Sequence, residues 1–117
     1  MSTRGLLDLS SGFDTDTCDL VKQMYASGAI QLLKGNTAQA GVPFNDADNK
    51  VWLQSSNPWN PHRIVGSSSE ASLVARRCVN FAVTEDLFGE QRINSMFNGV
   101  FALTVSSQRL SSEMLDS

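Results

Sequence analysis

The sequence predicts an α/β domain, and three observations carry that reading. Apolar runs of β-forming residues alternate with stretches of helical periodicity, the order that layers helices against a sheet. Hydrophobic residues make up 41% of the chain and charged residues 18%, a globular balance rather than a disordered one. The 117 residues suffice for one small domain with a modest core.

The first element is a helix. Asp16 or Thr17 is placed to cap it, and Leu20, Val21, Met24 and Tyr25 follow at helical spacing. Gly28 ends it, and Ala29-Ile30-Gln31-Leu32-Leu33 reads as a short strand. Gly35 to Pro61 is rich in Gly, Asn, Asp, Ser and Pro and reads mostly as loop, with a brief strand near Val51-Leu53. A second helix starts after Ser69. Glu70 in its first turn complements the positive end of the helix dipole, and Ala71, Leu73, Val74, Ala75 and Cys78 supply its apolar content. Phe81-Ala82-Val83 is a second strand, and Gly99 to Ser106 the third and strongest. The polar tail from Ser107 to Ser117 is expected to fray.

Composition excludes several classes. A net charge of -3 and nine scattered basic residues, with only Arg76 and Arg77 adjacent, argue against a nucleic-acid binder. No apolar run approaches the length of a membrane span, and the N-terminus lacks the apolar centre of a signal peptide. The expectation is a soluble, cytoplasmic chain. Cys18 and Cys78 read as free thiols, and one histidine, His62, makes no metal-ligand spacing with them, so no metal is expected. His62 reads as a surface loop residue, Trp52 and Trp59 as loop anchors, and Arg76-Arg77 as a solvated helix edge. Three serines before a helix, Ser67-Ser68-Ser69, more often bind its free N–H groups than catalyse.

The informative stretch runs from Asn57 to Arg109. Asn57-Pro58-Trp59 with Arg63 matches the pattern NPWxxxRxP, with Val65 in place of the last proline. Gly66-Ser67-Ser68-Ser69-Glu70 matches a loop reading GGSSGGE with two residues fewer. Thr84 to Arg92 overlays GTDxGGSIR so that Asp86, Gly89 and Arg92 coincide. Upstream, Lys34-Gly35-Asn36-Thr37 stands for a GKTN turn with its first two residues exchanged, and Gly99-Val100-Phe101-Ala102-Leu103 stands for a GxxGLKP strand. In this order and spacing the motifs resemble the amidase signature family, the serine hydrolases of carboxamides that include fatty-acid amide hydrolases and the amidotransferase A subunits acting on glutamyl-tRNA. The resemblance covers the chain from about Arg4 to Arg109.

It implies a fragment of the amidase fold, a mixed β-sheet flanked by helices, as a single partial domain over residues 1–117. It also implies a Ser-Ser-Lys triad without a cofactor. One serine attacks the amide carbon, a second, held across a cis peptide bond, relays the proton to a lysine base, and backbone N–H groups hold the oxyanion. Ser68 takes the cis-serine position with Ser69 beside it, although the shorter loop leaves the placement within the serine run open. Leu87, Phe88 and Gly89 lie where the family presents its oxyanion N–H groups. Glu90 stands in place of the nucleophile, and Phe88 in place of a glycine. Lys34 belongs to the GKTN-like turn rather than to the base, which precedes this region in the family. The triad is therefore incomplete, and the expectation is a truncated amidase-like pseudoenzyme. The alternatives are an active piece completed by a partner chain, and a non-catalytic binding module for a carboxamide ligand; exposed strand edges of a fragment would also favour self-association or a partner chain.

Overall fold

The structure, a computed structural model, describes residues 6, 17–42, 46–106 and 109. Three α-helices stand out among them: α1 (Asp19–Ala26), α2 (Glu70–Ala75) and α3 (Glu90–Asn98), with a single 3-10 turn at Gln39–Gly41. Long loops join them, and α2 and α3 pack on one another.

Cys18, in extended conformation, precedes α1, one residue beyond Thr17, and its side chain makes no capping bond. Asp16, the other candidate cap, lies outside the described residues, as does the tail from 107 to 117 apart from Arg109. Gly28 ends α1 as expected. Its φ of 86° lets the chain reverse, so that the Gly28 and Ala29 amides donate back to the Tyr25 and Met24 carbonyls. α2 starts after Ser69, as the sequence indicates, but closes within six residues.

The predicted mixed sheet is absent. Among the described residues there is no β-strand, and the one β-type contact is an isolated antiparallel bridge between Thr37 and Ser68. Ala29–Leu33, Phe81–Val83 and Gly99–Ser106, the strand candidates, have no ladder partner. Their side chains explain why. Ile30 and Leu32, Phe81 and Val83, and Phe101, Leu103 and Val105 all point into solvent, with Phe101 fully exposed. β-forming residues extend a backbone, but a strand becomes one only when a neighbour takes its N–H and C=O groups and a layer covers its apolar face. Neither is in place among the described residues, and no α/β layer structure is found there.

α3 is the element that the residue pattern hid. Its buried residues are Glu90, Asn94 and Asn98, four apart and therefore on one face, whereas Met96 is 71% exposed. The helix is seated by a polar stripe and turns apolar surface outward, the reverse of the amphipathic pattern that signals a helix. The terminal signals are conventional: Glu90 in the first turn and Gly99 after the last, with a φ of 68°.

What α3 meets is equally polar. Ala38, Ala47 and Val65 are the buried apolar residues among those described, while Asn49, Asn57, Ser68, Ser69, Ser72, Glu90, Asn94 and Asn98 are buried polar ones. Side-chain amides do the work of a ladder. Asn36 Nδ2 donates to the Ala47 and Leu53 carbonyls at 3.1 and 2.8 Å and to Ser55 Oγ at 3.0 Å. Asn49 Nδ2 donates to Asn36 Oδ1 and the Thr37 carbonyl, and its Oδ1 accepts from the Val51 and Trp52 amides. Asn57 Nδ2 ties the Ile64 carbonyl to that of Phe97, and Asn98 Nδ2 ties Val65 to Asn94. Buried backbone groups in irregular segments need partners, and asparagine supplies a donor and an acceptor on one short stem.

Candidate active site

Two loops and one helix face build the candidate site. The serine loop is pinned on one side to the turn at 35–38. The Asn36 amide donates to Ser69 Oγ at 2.7 Å, the Ser69 amide to the Asn36 carbonyl at 2.9 Å, and the Ala38 amide to the Ser67 carbonyl at 2.8 Å. Gly35 leaves room for the Glu70 carboxyl and Ser69 Oγ, which a Cβ there would displace. On the other side the loop lies against α3. Asn94 Oδ1 accepts from the Ser67 amide at 3.1 Å, and Asn94 presses on Gly66, whose φ of 106° also excludes a side chain.

Ser68, the predicted cis-serine, is 8% exposed. Its Oγ accepts from Asn94 Nδ2 at 3.0 Å and lies 3.4 Å from Thr84 Oγ1. No peptide bond among the described residues is cis. Ser69, 7% exposed, spends its hydroxyl on the Asn36 amide. Behind both sits Glu70. Burial raises its pKa, and this outweighs the hydrogen bond with Ser68, a backbone N–H and the nearby charge of Lys34. Its Oε2 is buried without a hydrogen-bond partner.

The second loop reverses at Gly89, whose φ is 91° and whose Cα is covered by the Arg92 guanidinium. Glu90, at the predicted nucleophile position, is 6% exposed and turns back, so that its Oε2 accepts from the Phe88 amide at 2.7 Å. Leu87 and Phe88 turn their side chains outward, at 51% and 66% exposure. Burial pushes the Asp86 carboxyl up, but the hydrogen-bonding interaction with Glu90, together with bonds from the Gly89 and Gln91 backbone and Thr104, lowers its pKa below the usual value. Asp86 thus belongs to the loop's own wiring, while the exposed Arg92 lays its guanidinium over Gly89. Lys22 pairs with Asp19 at 3.2 Å on the exposed face of α1.

Glu90 holds the Phe88 amide and Asn94 holds Ser68, so both loops meet one face of α3. Sequence reasoning missed Asn94, Thr84 and the reach of Glu70 to Ser68. The i, i+4 spacing of Glu90 and Asn94 was readable, once 90–98 is taken as a helix. His62 is exposed in its loop, and Trp52 is 66% exposed, no anchor. Trp59 does anchor, by an indole N–H on the Asn98 carbonyl at 2.8 Å. Cys18 and Cys78 are free. No group of His, Cys, Asp and Glu among the described residues has metal-binding geometry, and no helix there is long and apolar enough to cross a membrane.

A serine loop and a glycine-turn loop are thus held against one helix. The family model of amidases matches residues 1–116, and the chain belongs to the amidase family. It is 32% identical over 93 residues to the amidase FG08078 of Gibberella zeae, covering 78% of this chain and 17% of that protein. It is 34% identical over 98 residues to amidase 1 of Gibberella moniliformis, covering 82% and 19%. It is 28% identical over 102 residues to human fatty-acid amide hydrolase 2, covering 86% and 19%. The chain therefore spans about a fifth of the length of these relatives. No solved structure matches it.

Proposed function

We propose that this chain is an amidase-like segment that keeps the loop scaffold of a carboxamide site and does not turn over carboxamides by itself. The observation that carries this is the state of the two loops. The residue at the nucleophile position is a glutamate whose carboxyl is bound back to the Phe88 amide, and the Ser68 hydroxyl is buried in the grip of Asn94. A nucleophile needs a base within hydrogen-bond reach and an open approach to the reacting carbon. Ser68 has the Glu70 carboxyl within reach but no approach. The test is a fluorogenic carboxamide and a fluorophosphonate label on the purified chain. Neither turnover nor labelling is expected. Turnover over many cycles that disappears in Ser68→Ala would overturn the reading.

A second reading has its own observation. Ile30, Leu32, Phe81, Phe101 and Leu103 stand exposed on segments of β-forming sequence without ladder partners. Such surface favours association with further polypeptide, either a second copy or a partner chain that completes the site. Mixing the chain with amidase fragments that lack this region, then assaying carboxamide hydrolysis, separates completion from simple inertness.

A further inference from the structure

Asn98-Gly99 is the sole Asn-Gly dipeptide of the chain, and it lies at the C-terminus of α3. Asparagine followed by glycine is the pair most open to cyclisation, because glycine puts no Cβ in the way of the attacking backbone nitrogen and bends freely. The fold withholds the conditions for that reaction. Asn98 is fully buried and ends the helix, so its helical ψ must be left before the Gly99 nitrogen can reach Cγ. Its Nδ2 donates to the Val65 and Asn94 carbonyls, both at 2.7 Å, which fixes the side chain. Gly99 takes a φ of 68°, the Val100 amide donates to the Ser95 carbonyl at 3.1 Å, and the Trp59 indole N–H holds the Asn98 carbonyl at 2.8 Å. Side chain and main chain are pinned on both sides of the bond that would react.

We propose that Asn98 is a modification site gated by the fold: its deamidation is suppressed while the chain is native, proceeds once the chain opens, and then bars return to the native state. In the reaction the Gly99 backbone nitrogen bonds to Asn98 Cγ and the Cγ–Nδ2 bond breaks. The proton of that nitrogen leaves with Nδ2 as ammonia. Water opens the resulting succinimide, at Cγ to leave aspartate or at the backbone carbonyl carbon to leave isoaspartate. The native interior cannot accept either product. Asn98 Oδ1 is already buried without a hydrogen-bond partner. In an ionised aspartate both oxygens only accept, so the place of the Nδ2 donor is taken by negative charge facing the Val65 and Asn94 carbonyl oxygens. Isoaspartate adds a methylene to the main chain and converts the carbonyl that Trp59 grips into a carboxylate. None of this depends on the reading of the two loops as an amidase scaffold.

The test incubates the purified full chain at mildly alkaline pH, in native buffer and in urea. Residue 98 is followed by peptide mapping with mass spectrometry and by enzymatic methylation of isoaspartate. Conversion is expected in urea. In native buffer it is expected to be slower by roughly tenfold or more, since a reaction confined to the open form tracks the population of that form. Equal rates in the two solutions, or no conversion in urea, overturn the proposal. After the urea is removed, unmodified chains are expected to regain protease resistance and converted chains to stay susceptible; converted chains that regain it equally overturn the proposal. Asn98→Asp makes one of the products directly. It is expected to be cleaved at least about tenfold faster than the wild type in native buffer, and equal resistance overturns the bar to refolding.

Discussion

Asn98 shows what single residues do in a core with few apolar groups. It is fully buried, and its amide satisfies two carbonyls, those of Val65 and Asn94, both at 2.7 Å. Removing the donor strands both acceptors away from water, and a stranded buried group costs about 1–3 kcal/mol. Asn98→Ala is therefore expected to lower stability by that amount in urea unfolding. A loss below a few tenths would mean that the loops hold without this tie. Glu70 makes the opposite contribution. Its pKa is raised in the fold because burial disfavours the charge, so the folded state binds the proton more tightly than the unfolded state does. Stability linked to Glu70 is then present at acid pH, below the ordinary carboxylate pKa, and is lost as pH rises through the raised value. Glu70→Gln removes this dependence: its melting temperature should stay level across that range, where the wild type declines. Asp86 has the opposite sign. Its lowered pKa favours the fold above the ordinary carboxylate range and is lost as pH falls through the depressed value, which makes the acid limb of the wild-type profile the part that Asp86→Asn flattens.

At the scale of elements, α3 decides the arrangement. Nine residues are too few for a stable isolated helix, so its seat must hold it, and that seat is hydrogen bonds rather than apolar burial. Met96, on the outer face, contributes nothing to the seat. Met96→Gln should leave stability within about 0.5 kcal/mol by thermal melting, as for other exposed positions. A larger loss would place Met96 against something. The same inversion marks the limit of what the sequence tells. α1, α2 and the Gly28 stop were legible because apolar spacing and a terminal glycine act locally. The motif order was legible too, and it pointed to the amidase family without any geometry. α3 was not, because Ile93, Met96 and Phe97 do not mark its buried face and Asn94 and Asn98 look like loop residues. The strands misled for a complementary reason. Residues such as Phe101 and Leu103 declare β preference, but pairing depends on what lies alongside, and no local pattern carries that information.

For the whole molecule, the balance of inside and outside is the unusual property. Three small apolar side chains are buried among the described residues, while Ile30, Leu32, Trp52, Leu53, Trp59, Phe88, Met96, Phe101 and Leu103 are each more than 60% exposed. An open groove of about 490 Å³ between α1 and Phe81, lined by Leu20, Met24 and Ala29, adds to that surface. Burial of one large aliphatic or aromatic side chain stabilises by about 1.5–3 kcal/mol, so covering even two of these outweighs any single amide tie in the interior. The physical expectation is that the chain associates through the 101–105 segment, whose alternating Phe101, Leu103 and Val105 present one apolar edge. Phe101→Lys together with Leu103→Lys puts two charges on that edge and touches nothing inside, since both side chains are in solvent in the isolated chain. Sedimentation velocity should find the wild type in species larger than a monomer and the double variant monomeric, with equal helix content by circular dichroism. If the wild type sediments as a monomer, the exposed edge drives no association; if both chains form larger species alike, another face, the α1 groove first, is the site of association.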